Sequence, residues 1–470
     1  MASIPQTRLF CWEDVENLGD LQRLRLVLKA IPDEPLMQTL EAERGKGRND
    51  YPVRPMWNSV LAGIVFQHPS VQSLRRELLR NDRLRWMCGF DPVMEAAEAV
   101  GGPDNYSRFL KNLMAHQGQI DEIFDALVDA LGEELEGLGR HLAFDSKGIQ
   151  THARPRGKEQ YEELREREMR EGRDGRRDLD ADFGKKTYRG TDGDGTLWEQ
   201  TKKWFGYKLH LAVDATCELP VAYEVTRASR PDNKVAAAVI EDMDVRHPEL
   251  LKGCEAAMAD KAYDDIKIID QLWDGGDPEE PRRILPVIPK RQDWKDGEET
   301  RPLLEGADNI VYDCQGRLYC HCWKTGRRRA MLYCGYERKR DTQKWRCPAA
   351  AYGLECESYW RCSGDSSYGR VVRVKREFDR RTFLPTARSG YRFERLYRER
   401  GAVERVNSRL DVSFGFERHY IRGLAKMRLR CSLALVVMLA MALGRARENK
   451  EKEGKERRSA PTVRSLVGAA

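Results

Sequence analysis

Two aspartates and a glutamate draw attention by where they fall along the chain. HLAFDSKG (141–148) reads as a short buried strand that delivers Asp145 to its end, and Glu255 to Asp260 reads as a second strand finishing on Asp260. Glu404 lies in RLYRERGAVERVNSRL (395–410), which reads as a helix despite Gly401. Tyr397, Arg400, Glu404 and Asp411 follow one another at intervals of three, four and seven residues. At about 100° per residue they share one helical face. A tyrosine, an arginine and a glutamate on one face are more than core packing requires. Phosphodiester cleavage by two metal ions needs acidic side chains converging on cations about 3.5–4 Å apart, one activating the nucleophile and one stabilising the leaving oxygen. Carboxylates suit Mg²⁺, which prefers hard oxygen ligands and keeps several waters. An aspartate at a strand end is, taken alone, more often a turn former than a ligand. The chemistry requires all three carboxylates to meet.

A second group is sulfur-rich. Seven of the twelve cysteines, Cys314, Cys320, Cys322, Cys334, Cys347, Cys356 and Cys362, fall within one stretch, with His321 among them. In a reducing compartment such thiols are free or metal-bound. A thiolate site for Zn²⁺ in tetrahedral coordination and a set of buried reduced thiols fit equally, because the spacing is irregular and lacks a paired Cys-x-x-Cys. Lys324, Arg327, Arg328, Arg329, Trp345 and Arg346 are interleaved with them. Cationic and aromatic side chains of this kind can contact DNA, although a solvated basic loop has the same composition.

The elements that must position these groups follow from pattern. The chain has 470 residues, enough for two or three domains, and 34% are charged, with 82 Lys plus Arg against 76 Asp plus Glu. The net charge of +6 argues little for nucleic acid, so any DNA affinity must come from local patches. Met1 to Arg8 lacks the pattern of a secretory leader, and the cytoplasm is the expected compartment. The longest apolar run, Cys431 to Leu443, falls short of the ~18 residues of a membrane span. It reads as a buried helix, and no membrane partner is expected. From Leu21 to about Leu131 the pattern is helical: Val60, Leu61, Ile64 and Val65 follow Pro55, Ser70 caps a helix carrying Val71, Leu74 and Leu78, and a third helix from Asp104 presents Tyr106, Phe109, Leu110 and Leu113. Short helices with basic faces suit helix-turn-helix binding, and a plain bundle fits as well.

After the strand at 141, the charged, Gly-rich stretch 154–196 reads as loop. A hairpin runs from Tyr207 to Val225 with its turn at Asp214 to Glu218. Asp232 is expected to cap a helix, Asp264 to cap another, and Ile284 to Ile288 to form an edge strand around Pro286. Strand, strand, strand, helix, strand, helix, strand is the order of an RNase H-like domain. The expected fold is therefore α/β, an RNase H-like catalytic domain with an N-terminal all-α domain and a Cys-rich insertion before the Glu-bearing helix. Its divisions are an N-terminal helical DNA-binding domain (1–135), the first part of the core (136–291), the insertion (292–391), the Glu-bearing and packing helices (392–444) and a charged, disordered tail (445–470).

These motifs resemble the DDE transposases of bacterial insertion sequences, in the broad group with a Tyr, Arg, Glu, Lys helix signature. PDNYSRF (103–109) is similar to the end of that family's N-terminal helical domain, FDSKG (144–148) to its first aspartate motif, and FGYKLHL (205–211) with LPVA (219–222) to its hairpin. ADKAYD (259–264) resembles the second aspartate motif; AVERVNSRL (402–410), followed by FGFERH (414–419) and RGL (422–424), is the most specific match. The resemblance runs from about Tyr51 to Gly444. It implies that Asp145, Asp260 and Glu404 are catalytic ligands of Mg²⁺ (or Mn²⁺), with Tyr397 and Arg400 near the scissile phosphate. It also implies a homodimer that binds terminal inverted repeats of double-stranded DNA, releases 3′-hydroxyls by hydrolysis and joins them to target DNA. The signature lysine is replaced by Asp411, whose charge would repel phosphate. Arg409 is the cation expected to take over that contact, since arginine can hold phosphate bidentately. Two rivals remain: another RNase H-like nuclease, such as a resolvase, and a non-catalytic DNA-binding protein derived from a transposase, or a zinc-binding regulator.

Overall fold

The computed structural model describes residues 10–44, 52–155, 163–167, 177–303 and 309–459. Met1 to Arg8, Tyr51 and parts of the expected loop 154–196 lie outside the described residues. The N-terminal region is helical: α1 (Glu13–Glu16), α2 (Asp20–Ala30), α3 (Glu34–Arg44), α4 (Val53–Val65), α5 (Val71–Arg80), α6 (Asp82–Cys88), α7 (Ala96–Ala99), α8 (Pro103–Ala115) and α9 (Gln117–Glu134). Helix α4 is buried nearly all round, from Val53 and Met56 to Ile64 and Val65, as an apolar helix at the centre of a bundle must be. Ser70 caps α5 as expected, its hydroxyl accepting from the Ser73 N–H at 3.2 Å. Helix α8 starts one residue earlier than expected, on Pro103, whose missing N–H costs nothing in a first turn.

The α/β region is built on a six-stranded sheet. Its strands are β1 (His141–Gln150), β2 (Asp182–Thr191), β3 (Leu197–Asp214), β4 (Leu219–Arg227), β5 (Ala256–Ala259) and β6 (Leu285–Val287). The order is β2-β3-β1-β5-β6, with β4 on the other edge of β3. The β2–β3, β3–β4 and β1–β3 pairs are antiparallel, whereas β1–β5 and β5–β6 are parallel. Helices α10 (Asp232–Arg246) and α11 (Pro248–Gly253) connect β4 to β5, and α12 (Ile266–Trp273) connects β5 to β6. Pro286 lies on the edge strand, where its lack of a donor is harmless.

Beyond β6, β7 (Arg301–Pro302), β8 (Ile310–Tyr312), β9 (Leu318–His321) and β10 (Arg328–Ala330) form one small sheet. Strands β11 (Leu332–Glu337), β12 (Thr342–Arg346) and β13 (Val371–Lys375) form another, with α13 (Pro348–Tyr352) and α14 (Tyr359–Ser363) between β12 and β13. Leu303, Ile310, Leu318, Met331, Trp345, Val372 and Phe383 give this part its own core. Helices α15 (Tyr391–Glu399), α16 (Gly401–Ser413) and α17 (Leu424–Ser459) follow. By length and composition α17 could cross a membrane, but 89% of its apolar window is buried within the protein. It packs on α2, α9 and β4, joining the N-terminal helices and the sheet into one core. At roughly 1.5–3 kcal/mol per fully buried large apolar side chain, Leu433, Leu435, Val436, Met438 and Leu439 make it a main source of stability. Gly444 permits the crossing with α2, since a Cβ there would sit 2.8 Å from the Leu26 carbonyl oxygen.

Several expectations are corrected. The stretch 154–196 is not all loop, for β2 occupies 182–191 and β3 begins at Leu197, ten residues before the expected Tyr207. This part of the hairpin is exposed, so it lacks the alternation of apolar and polar residues that betrays a half-buried strand. Asp232 opens α10 as its first residue and spends its carboxylate on the Ser146 hydroxyl (2.9 Å) and the Lys208 ammonium (2.8 Å). Asp265, not Asp264, caps α12, accepting from Lys267 N–H at 2.9 Å. Asp264 is buried and takes hydrogen bonds from Arg291 N–H (3.0 Å) and Arg381 (2.9 Å). The Glu-bearing helix is two helices meeting at Arg400. The charged tail stays helical to Ser459, with Arg447 and Lys450 paired to Glu134 of α9 at 3.4 and 2.8 Å; residues 460–470 lie outside the described residues.

Candidate active site

Strands β1 and β5 run parallel, with Phe144 opposite Ala259 as the last pair. The next residues are Asp145 and Asp260, so both aspartates emerge at the carboxyl end of the parallel pair, where open α/β sheets bind ligands. Asp145 does not end its strand. It sits mid-strand where β5 stops, and β1 continues to Gln150 on its other partner, β3. The Asp260 carboxylate accepts from Ala262 N–H at 2.6 Å, capping a single 3₁₀ turn. Asp145 accepts from Ser146 N–H at 2.8 Å.

Arg400, at the α15–α16 junction, donates to the Glu404 carboxylate at 2.5 Å and lies 3.5 Å from that of Asp145. It also stands over the Tyr397 ring, 5.8 Å from its centroid. Burial pushes the Asp145 carboxyl above its usual range and Asp260 adds to this, against the opposing pull of Lys186, the Ser146 N–H and Arg400. Burial likewise raises the Tyr397 phenol. Asp145, Asp260 and Glu404 all line a cleft of about 1100 Å³, together with Lys147, Lys185, Lys186, Lys202, Lys208, Lys261 and Arg291. An acidic floor under basic walls suits a phosphodiester backbone brought to a cation site.

A family model described as a transposase DDE domain matches residues 136–440, and one described as a transposase domain (DUF772) matches residues 11–99. The chain belongs to the DDE transposase family. It is a DNA transposase, an enzyme of DNA cleavage and strand transfer, and its substrate is DNA. Enzymes of this family use divalent metal ions. No curated protein matches the chain. The donor chemistry of the cleft fits such ions, because three hard-oxygen carboxylates reach it and the cation the transposase itself puts between two of them is Arg400. As they stand, no three His, Cys, Asp or Glu side chains among the described residues are grouped to hold a metal.

Arg409 is not in the cleft of the transposase. It donates to Glu16 (3.1 Å) and Glu218 (2.8 Å), lies 4.4 Å over Trp12, and is only 10% exposed. Five positions after Glu404, it is rotated about 140° away on the helix. Arg405 pairs with Glu218 on the same side. Asp411 does reach the cleft, but its carboxylate holds Lys147 Nζ at 2.5 Å, with Glu417 3.3 Å from the same ammonium. Sequence reading missed Lys147, although it lies two residues after Asp145 and so shares that strand face. Lys186 and Lys202 were missed because their strands were.

Cys320, Cys322, Cys347, Cys356 and Cys362 line one cavity of about 30 Å³ in the transposase, and burial together with the neighbouring Cys347, Cys356 and Cys362 pushes the Cys320 thiol up to about 12. Cys314 and Cys334 are elsewhere. The first points at the Asp293 carboxylate and the Arg291 carbonyl, and the second is exposed.

Proposed function

We propose that this transposase binds the terminal inverted repeats of an insertion sequence as a homodimer in the cytoplasm, and cuts and joins DNA at Asp145, Asp260 and Glu404. One observation carries the reading: two aspartates emerge from adjacent parallel strands into a basic cleft that also receives the glutamate of α16. The strand order, with its antiparallel hairpin and parallel additions, supports an RNase H-like core, and residues 292–391 are read as an insertion into it.

Mg²⁺ (or Mn²⁺) held by these carboxylates would supply an activated nucleophile and stabilise the leaving oxygen. Arg400, tied to Asp145 and Glu404 beside the Tyr397 ring, would then be free to contact the scissile phosphate. The lysines of the cleft wall hold the flanking backbone as point charges, positioning DNA without reading its sequence.

Asp145→Asn, Asp260→Asn and Glu404→Gln are each expected to reduce Mg²⁺-dependent nicking of the element's own end by at least 100-fold, roughly the loss of 2.7 kcal/mol of transition-state stabilisation. Binding should be largely retained, since the basic wall is untouched. Robust nicking by any one variant removes that residue from the site.

A further inference from the structure

Strand β3 has 18 residues, and only its second half lies inside the sheet. Between Leu197 and Gly206 it pairs with β2, from Leu197 opposite Thr191 to Gly206 opposite Asp182. β1 and β4 join it only from Gly206 and Tyr207 onward. A two-stranded ribbon thus projects from the sheet beside the cleft, and every residue of β3 from Leu197 to Lys203 is exposed.

A free ribbon is marginally stable in water, so its composition is informative. Lys185 stands directly opposite Lys203, and Lys186 directly opposite Lys202. Like charges placed opposite one another weaken strand pairing. The ribbon carries two such pairs in succession, one on each of its faces, in the half nearest the catalytic cleft.

Other pairs compensate. Trp204 lies across Gly184, its cross-strand partner, and across Gly148 of β1, so closely that a Cβ added at either glycine would run into the ring. Trp198 covers Gly190 in the same manner. An aromatic ring spread over a cross-strand glycine restores packing that the glycine lacks. The hydroxyls of Thr187 and Thr201 meet at 3.2 Å. These pairs brace the ribbon at its neutral positions. Lys185, Lys186 and Lys202 line the same cleft as Asp145, Asp260 and Glu404.

We propose that the basal half of the β2–β3 ribbon is a DNA clamp, with Lys185, Lys186 and Lys202, the three ribbon lysines that line the cleft, binding the backbone phosphates of the duplex beside the scissile step. This rests on reading the cleft as the DNA site. Lysines in this role carry no sequence information, and the clamp grips any duplex.

The test uses the full chain, a short linear duplex of mixed sequence, and binding titrations across a salt series. Lys186→Gln with Lys202→Gln should lower the slope of log K against log[salt] by about 1.8, and separately Lys185→Gln by about 0.9, at ~0.9 for each phosphate that is no longer neutralised. Urea unfolding of the same variants should show stability unchanged or raised, since like charges have been removed. An unchanged salt slope in folded variants overturns the clamp, as does loss of self-association with the slope intact, which would make the ribbon an interface between copies. Lower stability with an unchanged slope assigns the lysines a structural role and also overturns it. Wild-type nicking of element DNA that persists beside any of these results leaves the cleft reading standing, whereas wild-type protein that neither binds nor nicks element DNA sinks the cleft reading itself.

Discussion

Arg400 occupies the place where two carboxylates most need a positive partner, joining Glu404 at 2.5 Å and Asp145 at 3.5 Å. A guanidinium there keeps these acidic groups from repelling one another. The same economy of charge explains Asp411. Where the helix signature calls for lysine, this chain supplies an aspartate that receives a lysine from β1, so the cation reaches the cleft from the strand and the helix orients it. Lys147→Ala is expected to lower the salt slope of end binding by about 0.9. Arg409→Ala should leave that slope unchanged and cost about 1–3 kcal/mol of stability, because it removes one of the two guanidinium groups that hold Glu218 and uncovers Trp12. Salt titrations and urea melts of both variants check this, and a reversed pattern would return the phosphate contact to Arg409.

Among the elements, the segment from β7 to β13 is distinct in having its own small core, and its cysteines are sorted by it. We propose that this segment holds a zinc site drawn from Cys320, Cys322, Cys347, Cys356 and Cys362; Cys314 and Cys334 are held away from that cavity. The thiols share a cavity without yet standing at ligand spacing, and closing on a cation would draw them together. Protein purified without chelator is expected to carry near-stoichiometric zinc by elemental analysis, lost on combined Cys347→Ser, Cys356→Ser and Cys362→Ser. Folded, active protein without zinc would leave the cluster as buried reduced thiols.

For the whole molecule, the seam between the N-terminal helices and the α/β region is pinned by charge. His247, between α10 and α11, contacts Asp129 at 2.9 Å and Asp125 at 3.2 Å on α9, and Arg246 donates to Asp125 at 2.8 Å. Burial opposes charge on His247, but the two aspartates outweigh it and raise its pKa above the usual 6.5. Since folding favours the protonated ring, this contribution is fully present below the unfolded value and disappears as pH rises through the folded one. His247→Gln is therefore expected to cost about 1.5–3 kcal/mol, the worth of hydrogen bonds to charged groups, on the acid side of neutrality. The difference in Tm from wild type should shrink as pH rises through the folded-state value, which lies above 6.5. A difference that grows with pH would mean that the ring is neutral in the folded protein.

Much of this protein is written locally. The strand leading to Asp145, the hairpin turn at Asp214, the Ser70 cap and the buried run of α17 each follow from periodicity and turn chemistry within a few residues, and the signature around Glu404 points to the family's chemistry. Other features were decided only by the fold. Lys147 and Asp411 are 264 positions apart, and Arg409 finds Glu218 across 191, separations over which no local pattern constrains a partner. The ribbon escaped because an arm exposed on both faces has no burial to impose alternation, so its lysines look like loop charge until their opposition across two strands is visible. The cysteines had spacing but no geometry until β9, α13 and α14 brought five of the seven to one cavity. Propensity and capping act over a few bonds, so what a segment prefers to be is already present in its own residues. Which side chains meet depends on how buried surfaces pack, and that is settled only when the whole chain closes on itself.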